Sequence, residues 1–283
     1  MKIVSYAHDG RVSYGFVVGD RVVDHRDVPG VTAGSVRELI AGGTLPDSAA
    51  LAAAPATAGL DEVTLLPPVE PAKLLCAGVN FPTHREEVKL SAARPEHPTI
   101  FTRYADSVVG HGEPIILPRV CEQFDYEGEL AVVIGKRAWN VPESAAAEHV
   151  FGYACFNDGS ARDWQRHSGQ WIPGKNFHRS GGFGPWIVTA DEVADLGDAE
   201  LVTRVNGEVR QSARLKDMLF SVAELIAYVS TFTPLNPGDV IAAGTPGGVG
   251  LFSDPPRLLS PGDVVEVEID GVGVLRNPIA AQD

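Results

Sequence analysis

The stretch FDYEGELAVVIGK, Phe124 to Lys136, restricts the fold more than any other part of this chain. Its second half, LAVVIG, is an unbroken apolar run that suits a core. Its first half places Asp125, Glu127 and Glu129 at every second position. A strand sends alternate side chains to one face, so the spacing predicts three carboxylates crowded together where the chain enters the interior. Like charges that close repel and resist desolvation. Any fold for this sequence must supply something that holds them there.

The remaining pattern is strand-heavy. KIVSYA, VSYGFVV and RVVDH read as a meander turning at Asp9-Gly10 and Gly19-Asp20. A short helix is expected at SVRELIAG. The strand-like DEVTLLPPV then runs into Pro67, Pro68 and Pro71, which place a boundary between a small N-terminal β-rich domain, residues 1–68, and a main domain, residues 69–283. In the main domain KLLCAGV, PTIFTR, ELAVVIG, FGYACFND, GPWIVT, LVTRVNGEVRQ, DVIAAG, DVVEVEID and VGVLRN read as strands. Helices are expected at ESAAAEHV, SARDWQRH and SVAELIAYVSTF, with Ser160 and Ser221 as caps. Many strands with few helices predict an α+β, mainly β and mainly antiparallel architecture.

Bulk properties narrow the function. The net charge is −14 and no Lys/Arg run occurs, which argues against nucleic acid or an anionic membrane surface as partner. Cys76, Cys121 and Cys155 show no CxxC spacing, as expected for reduced thiols in a cytoplasmic protein. The most Ala-rich stretch, SAALAAAPATAGL, is broken by Pro55 and too weakly apolar to span a bilayer.

Glu127 and Glu129 share a strand face, and Asp158 ends the strand FGYACFND. Together they offer the hard oxygen ligands that Mg²⁺ or Mn²⁺ prefers. A solvated acidic strand edge is the competing reading, and residue types alone leave both open. Zinc is disfavoured, because no His or Cys has suitable spacing nearby. His84 and Glu87 lie three apart on a short helical stretch, the spacing of an oriented general base and equally of a surface pair. GQWIPGKN approaches a phosphate-binding loop, but Asn176 replaces the hydroxyl and no helix is expected to follow. Lys175 is better read as a cation facing the carboxylates. AAGTPGGVG, with Thr245, is a Gly-rich loop able to approach a small anion, or an ordinary turn.

The ordered set GVNFPTHREE, DYEGELAVVIGK, FNDGSARDWQ, WIPGKNF, GPWIV, VNGEVRQ and GDVIAAGTPGGVG resembles the fumarylacetoacetate hydrolase family, from about Lys73 to Asn277. The resemblance implies a mixed β-roll catalytic domain, assembled as a homodimer. It implies a divalent metal, Mg²⁺ or Mn²⁺, on Glu127, Glu129 and Asp158, and a catalytic dyad of His84 and Glu87 with Lys175 as active-site lysine. It also implies substrate contacts from Gln165, Thr245 and Arg103. His178 stands where many relatives have Asp, and Gly128 separates the glutamates. The implied activity is metal-assisted hydrolysis of a C–C bond in a 2,4-dioxo acid such as an acylpyruvate. The alternatives are decarboxylation, isomerisation or (de)hydration of a 2-oxo acid through the same enolate chemistry and, more distantly, non-catalytic metabolite binding.

Overall fold

The structure is a computed structural model and describes residues 1–42 and 45–283. One twelve-stranded sheet dominates the described residues. Its order from edge to edge is Ala58–Gly59, Arg21–Asp24, Arg11–Val18, Lys2–His8, Gly181–Thr189, Val150–Asn157, Gly128–Ile134, Val240–Ala242, Leu74–Gly78 and Thr99–Arg103. Thr64–Leu66 and Val108–Val109 pair with it from the side. A five-stranded sheet, Glu208–Arg214, Glu200–Val205, Val264–Ile269, Gly273–Ala281 and Ile115–Leu117, packs against it. The architecture is mainly β with short helices, as the strand count predicts.

The apolar runs have a direct cause. Leu130, Val132 and Ile134 enter one core cluster, and Ala131 and Val133 enter another. The strand is therefore buried on both faces, and a strand covered twice must be apolar at every position. The first cluster is closed by helix Val222–Phe232, whose Ser221 and Glu224 form the expected capping box. The second is closed by helix Val36–Gly42. Asn206 and Gly207, both at positive φ, make the expected hairpin turn. Ser160, read as a helix cap, instead pairs with Asp125 in a two-residue strand, and helix Arg162–Gln165 starts after Ala161.

Strand pairing and side-chain packing cross the boundary expected near residue 68. Lys2 pairs with Val188 and Ile3 with Ile187, so the N-terminal meander extends the main sheet. Tyr14 and Phe16 share a core cluster with Ala131 and Ala154. Phe16→Ala, at a fully buried side chain, is therefore expected to destabilise the whole chain by about 3–5 kcal/mol. It should lower one common thermal transition, followed by circular dichroism and by tryptophan fluorescence. Two separated transitions would show that the N-terminal segment melts alone.

Candidate active site

Antiparallel pairing assembles the acidic cluster. Gly128 lies opposite Asn157 and Glu129 opposite Phe156. The Asp158 amide donates to the Glu127 carbonyl at 2.8 Å. One oxygen each from Glu127, Glu129 and Asp158 lies within 4.8 Å of the others, and all three residues are buried. Asp125 corrects the expectation of three crowded carboxylates on one strand face. The ladder is interrupted at Tyr126 and Glu127, and Phe124–Asp125 pairs with Ser160–Ala161 instead. The Asp125 carboxylate accepts from the Gly250 and Leu251 amides at 2.8 and 3.0 Å and from Arg162 Nε at 2.9 Å.

Three buried cations answer the repulsion. Lys175 Nζ bridges Glu127 at 2.7 Å and Asp158 at 2.6 Å. Arg103 Nη1 donates to Asp158 Oδ1 at 2.5 Å, and Arg162 Nη1 donates to Glu127 Oε1. Among the described residues, Glu129 receives only the Gly244 amide, at 2.9 Å. The titration behaviour follows these partners. Burial pushes Glu129 well above the usual carboxylate range, and the Asp158 and Glu127 charges push it further. Burial acts on Glu127 in the same sense, but Arg162 and Lys175 outweigh it and hold Glu127 below its ordinary value. Lys175 is lowered by burial, yet Asp158 and Glu127 carry it above its usual range, so it stays an ammonium.

This donor set fits a divalent cation. Three carboxylates converge, all oxygen, with one of them held against ionisation by its neighbours. Lys175 already offsets part of the effect on Glu129, and a cation would add to it.

The loop Gly244–Gly248 joins the carboxylates to the dyad. Besides the Gly244 bond, Thr245 Oγ1 donates to the Gly128 carbonyl at 2.9 Å and accepts from Gln211 Nε2 at 2.8 Å. Gln211 Oε1 accepts from the Gly128 amide at 2.9 Å. Gly128 itself admits no side chain, since a Cβ would lie 1.9 Å from Thr203 Oγ1. Farther along the loop, the Gly247 amide donates to Thr83 and the Gly248 amide to Glu87 Oε2, at 3.0 and 2.9 Å. Glu87 Oε1 lies 2.6 Å from His84 Nδ1. With Nδ1–H donated to Glu87, Nε2 is the ring nitrogen left to act on a ligand.

A cavity of about 470 Å³ opens here, lined among others by His84, Glu127, Arg162, Gln165 and Lys175. Two residues expected to touch substrate do not line it. Arg103 is fully buried behind Asp158, its guanidinium shared among Asp158, Gly159, Ser107 and Ser180. Thr245 spends its hydroxyl on Gly128 and Gln211. Both hold the carboxylates in place. Arg162 is the residue that sequence reasoning missed. It is buried, and its Nη2 has no hydrogen-bond partner. The signal was a surplus of carboxylates that Lys175 alone could not balance. His178 is exposed and borders a separate cavity near the C-terminus. A larger cleft, about 890 Å³ beside Asp61 and Trp186, contains none of these groups.

Residues 73–280 match the family described as Fumarylacetoacetate (FAA) hydrolase C-terminal. The chain belongs to the fumarylacetoacetate hydrolase family. A human mitochondrial oxaloacetate tautomerase is 44% identical over 221 residues, covering 77% of this chain and 70% of that protein. The solved fumarylacetoacetate hydrolase of psychrophilic Exiguobacterium antarcticum is 39% identical with a TM-score of 0.88, covering 100% of both chains. A 5-carboxymethyl-2-hydroxymuconate delta-isomerase from Mycobacterium smegmatis is 33% identical with a TM-score of 0.80, again over 100% of both. No helix among the described residues is long and apolar enough to cross a membrane.

Metal ligation needs ionised carboxylates, so cation uptake must displace the proton favoured on Glu129. Mg²⁺ affinity, measured by titration calorimetry, is expected to rise with pH and to release a proton, visible as a dependence of the heat on buffer. Glu129→Gln or Asp158→Asn should weaken binding by at least about tenfold, a loss that even changes outside the ligand set produce. Unchanged affinity in both variants would place the cation elsewhere.

Proposed function

We propose that this chain is an enzyme of 2-oxo acids that moves a proton at the carbon next to the oxo group, interconverting keto and enol forms. The observation that carries the reading is that His84, paired with Glu87, lines the same cavity as Lys175 and Glu127 of the acidic cluster. It is supported by the relatives named as oxaloacetate tautomerases and as an isomerase.

A divalent cation held by Glu127, Glu129 and Asp158 supplies Lewis-acid polarisation of the substrate's oxygens when bound. The chain's own groups do the rest. Glu87 fixes the imidazole of His84, whose Nε2 takes the proton from the carbon and passes it to the enolate oxygen, giving the enol; the reverse transfer restores the keto form. Lys175 has three N–H donors, and two are used by Glu127 and Asp158. The Lys175 ammonium and the Arg162 guanidinium both line the cavity, so their positive charge would stabilise the charge that develops on the enolate oxygen. Gln165, which accepts from Arg162 Nη1 at 3.2 Å, borders the same space.

Hydrolytic C–C cleavage of a dioxo acid is the second reading, favoured by the full-length likeness to the Exiguobacterium hydrolase. There the dyad would activate water, and the same cations would stabilise the departing enolate. Proton NMR of the Mg²⁺-loaded protein in D₂O, with oxaloacetate and acylpyruvates, separates the two. Exchange at the carbon next to the oxo group without cleavage is expected. Formation of pyruvate plus a carboxylic acid would decide for hydrolysis. His84→Ala should slow exchange by about 10²- to 10⁴-fold, the usual worth of a positioned base. Near-full activity in that variant would remove the base assignment.

A further inference from the structure

The cavity beside the acidic cluster is built from two unlike parts. Its buried part carries Glu127, Arg162 and Lys175. Buried Phe101 also lines it, and its less buried lining is mostly apolar, with Val88, Leu90, Trp171, Leu251 and Phe252 beside the polar Gln165 and Ser168. Leu90 and Phe252 stand 49% and 42% exposed, from separate segments that meet across this opening. Large apolar side chains left in water around one cavity mark a surface that waits for an apolar partner. Arg166 is the one cation in that less buried lining among the described residues, and its Nη2 already donates to Gln123 at 2.6 Å.

Trp171 gives the wall its shape. It sits at φ 63 and ψ −1, left-handed backbone that a bulky residue rarely adopts. Glycine or asparagine would hold this turn with less strain, so the indole is retained for what it touches. The ring lies flush on Gly78, where a Cβ would come 2.4 Å from it, and meets Phe101 edge-on at 5.4 Å. The next residues, Ile172–Lys175, form the turn that delivers the Lys175 ammonium. The wall and the buried cation are therefore set by the same short segment.

We propose that the preferred substrates are 2-oxo acids whose far end is an apolar alkyl or aryl tail, seated between Trp171 and Phe252, over those that end in a second carboxylate. This rests on the 2-oxo acid reading above. The volume supports it, since about 470 Å³ falls in the range of pockets that enclose sizeable ligands and exceeds what a four-carbon acid fills.

The test uses non-reacting mimics of the 2-oxo acid head, bound to the Mg²⁺-loaded full chain and measured by titration calorimetry. N-butyloxamate is compared with N-(2-carboxyethyl)oxamate, a tail of similar length ending in a charge. The alkyl tail is expected to bind about tenfold more tightly, the order that one or two well-buried methylenes give. Phe252→Ser, at an exposed position that cannot unsettle the core, and Trp171→Gly should each reduce that ratio severalfold. Equal or tighter binding of the carboxylate tail, or a ratio unchanged in both variants, would overturn the tail assignment while leaving the 2-oxo acid head intact. Failure of both oxamates to bind would overturn the head reading and the tail assignment together.

Discussion

The structure depends on a buried balance of charge. Four buried carboxylates, Asp125, Glu127, Glu129 and Asp158, face three buried cations, Arg103, Arg162 and Lys175. A proton on Glu129, whose carboxyl is pushed up by burial and by the Asp158 and Glu127 charges, makes that cluster neutral. A divalent cation that displaces the proton leaves the cluster with one positive charge in excess. Such a site favours an anion, although the chain as a whole is strongly acidic. Metal and anionic substrate are thereby linked through electrostatics before any specific contact forms.

The balance needs precise placement, and the placement comes mostly from backbone groups. Gly128 is pinned at both its amide and its carbonyl by Gln211 and Thr245, and this fixes the angle between Glu127 and Glu129. The same loop reaches Glu129 through Gly244 and Glu87 through Gly248. One run of five residues therefore sets the distance from acidic cluster to base. Asp125 does similar work on the other side, tying Arg162 to the turn Gly250–Phe252 at the cavity opening. Asp125, outside the ligand set read from the sequence, holds the Arg162 that contacts Glu127.

What could be read from the sequence was local. LAVVIG had to be buried, Ser221 had to start a helix, and Asn206-Gly207 had to turn, because each depends on neighbours along the chain. The Glu-x-Glu pair and Asp158 were legible because an antiparallel neighbour places a strand end beside a strand start. What escaped depends on partners far away. Arg103 turns inward because Asp158, Gly159 and Ser180 wait behind it, between 55 and 77 residues later. The break at Tyr126 and Glu127 arises from a pairing with Ser160–Ala161 that no periodicity announces. The N-terminal meander read as a separate module because prolines punctuate its end, yet its edge completes a sheet with residues near 188.

Enolisation and hydrolysis share every charged group in this site, so the choice between them turns on water. Cleavage requires a water molecule between His84 Nε2 and a distal carbonyl, whereas proton transfer requires direct approach to the carbon. The mostly apolar, less buried lining of the cavity, with Leu90 and Phe252 around its opening, works against a held water once a tail fills it. His84 is itself buried, with Nδ1 paired with Glu87. On the proposed reading, the wall that would seat an apolar tail would also favour moving a proton over holding a water.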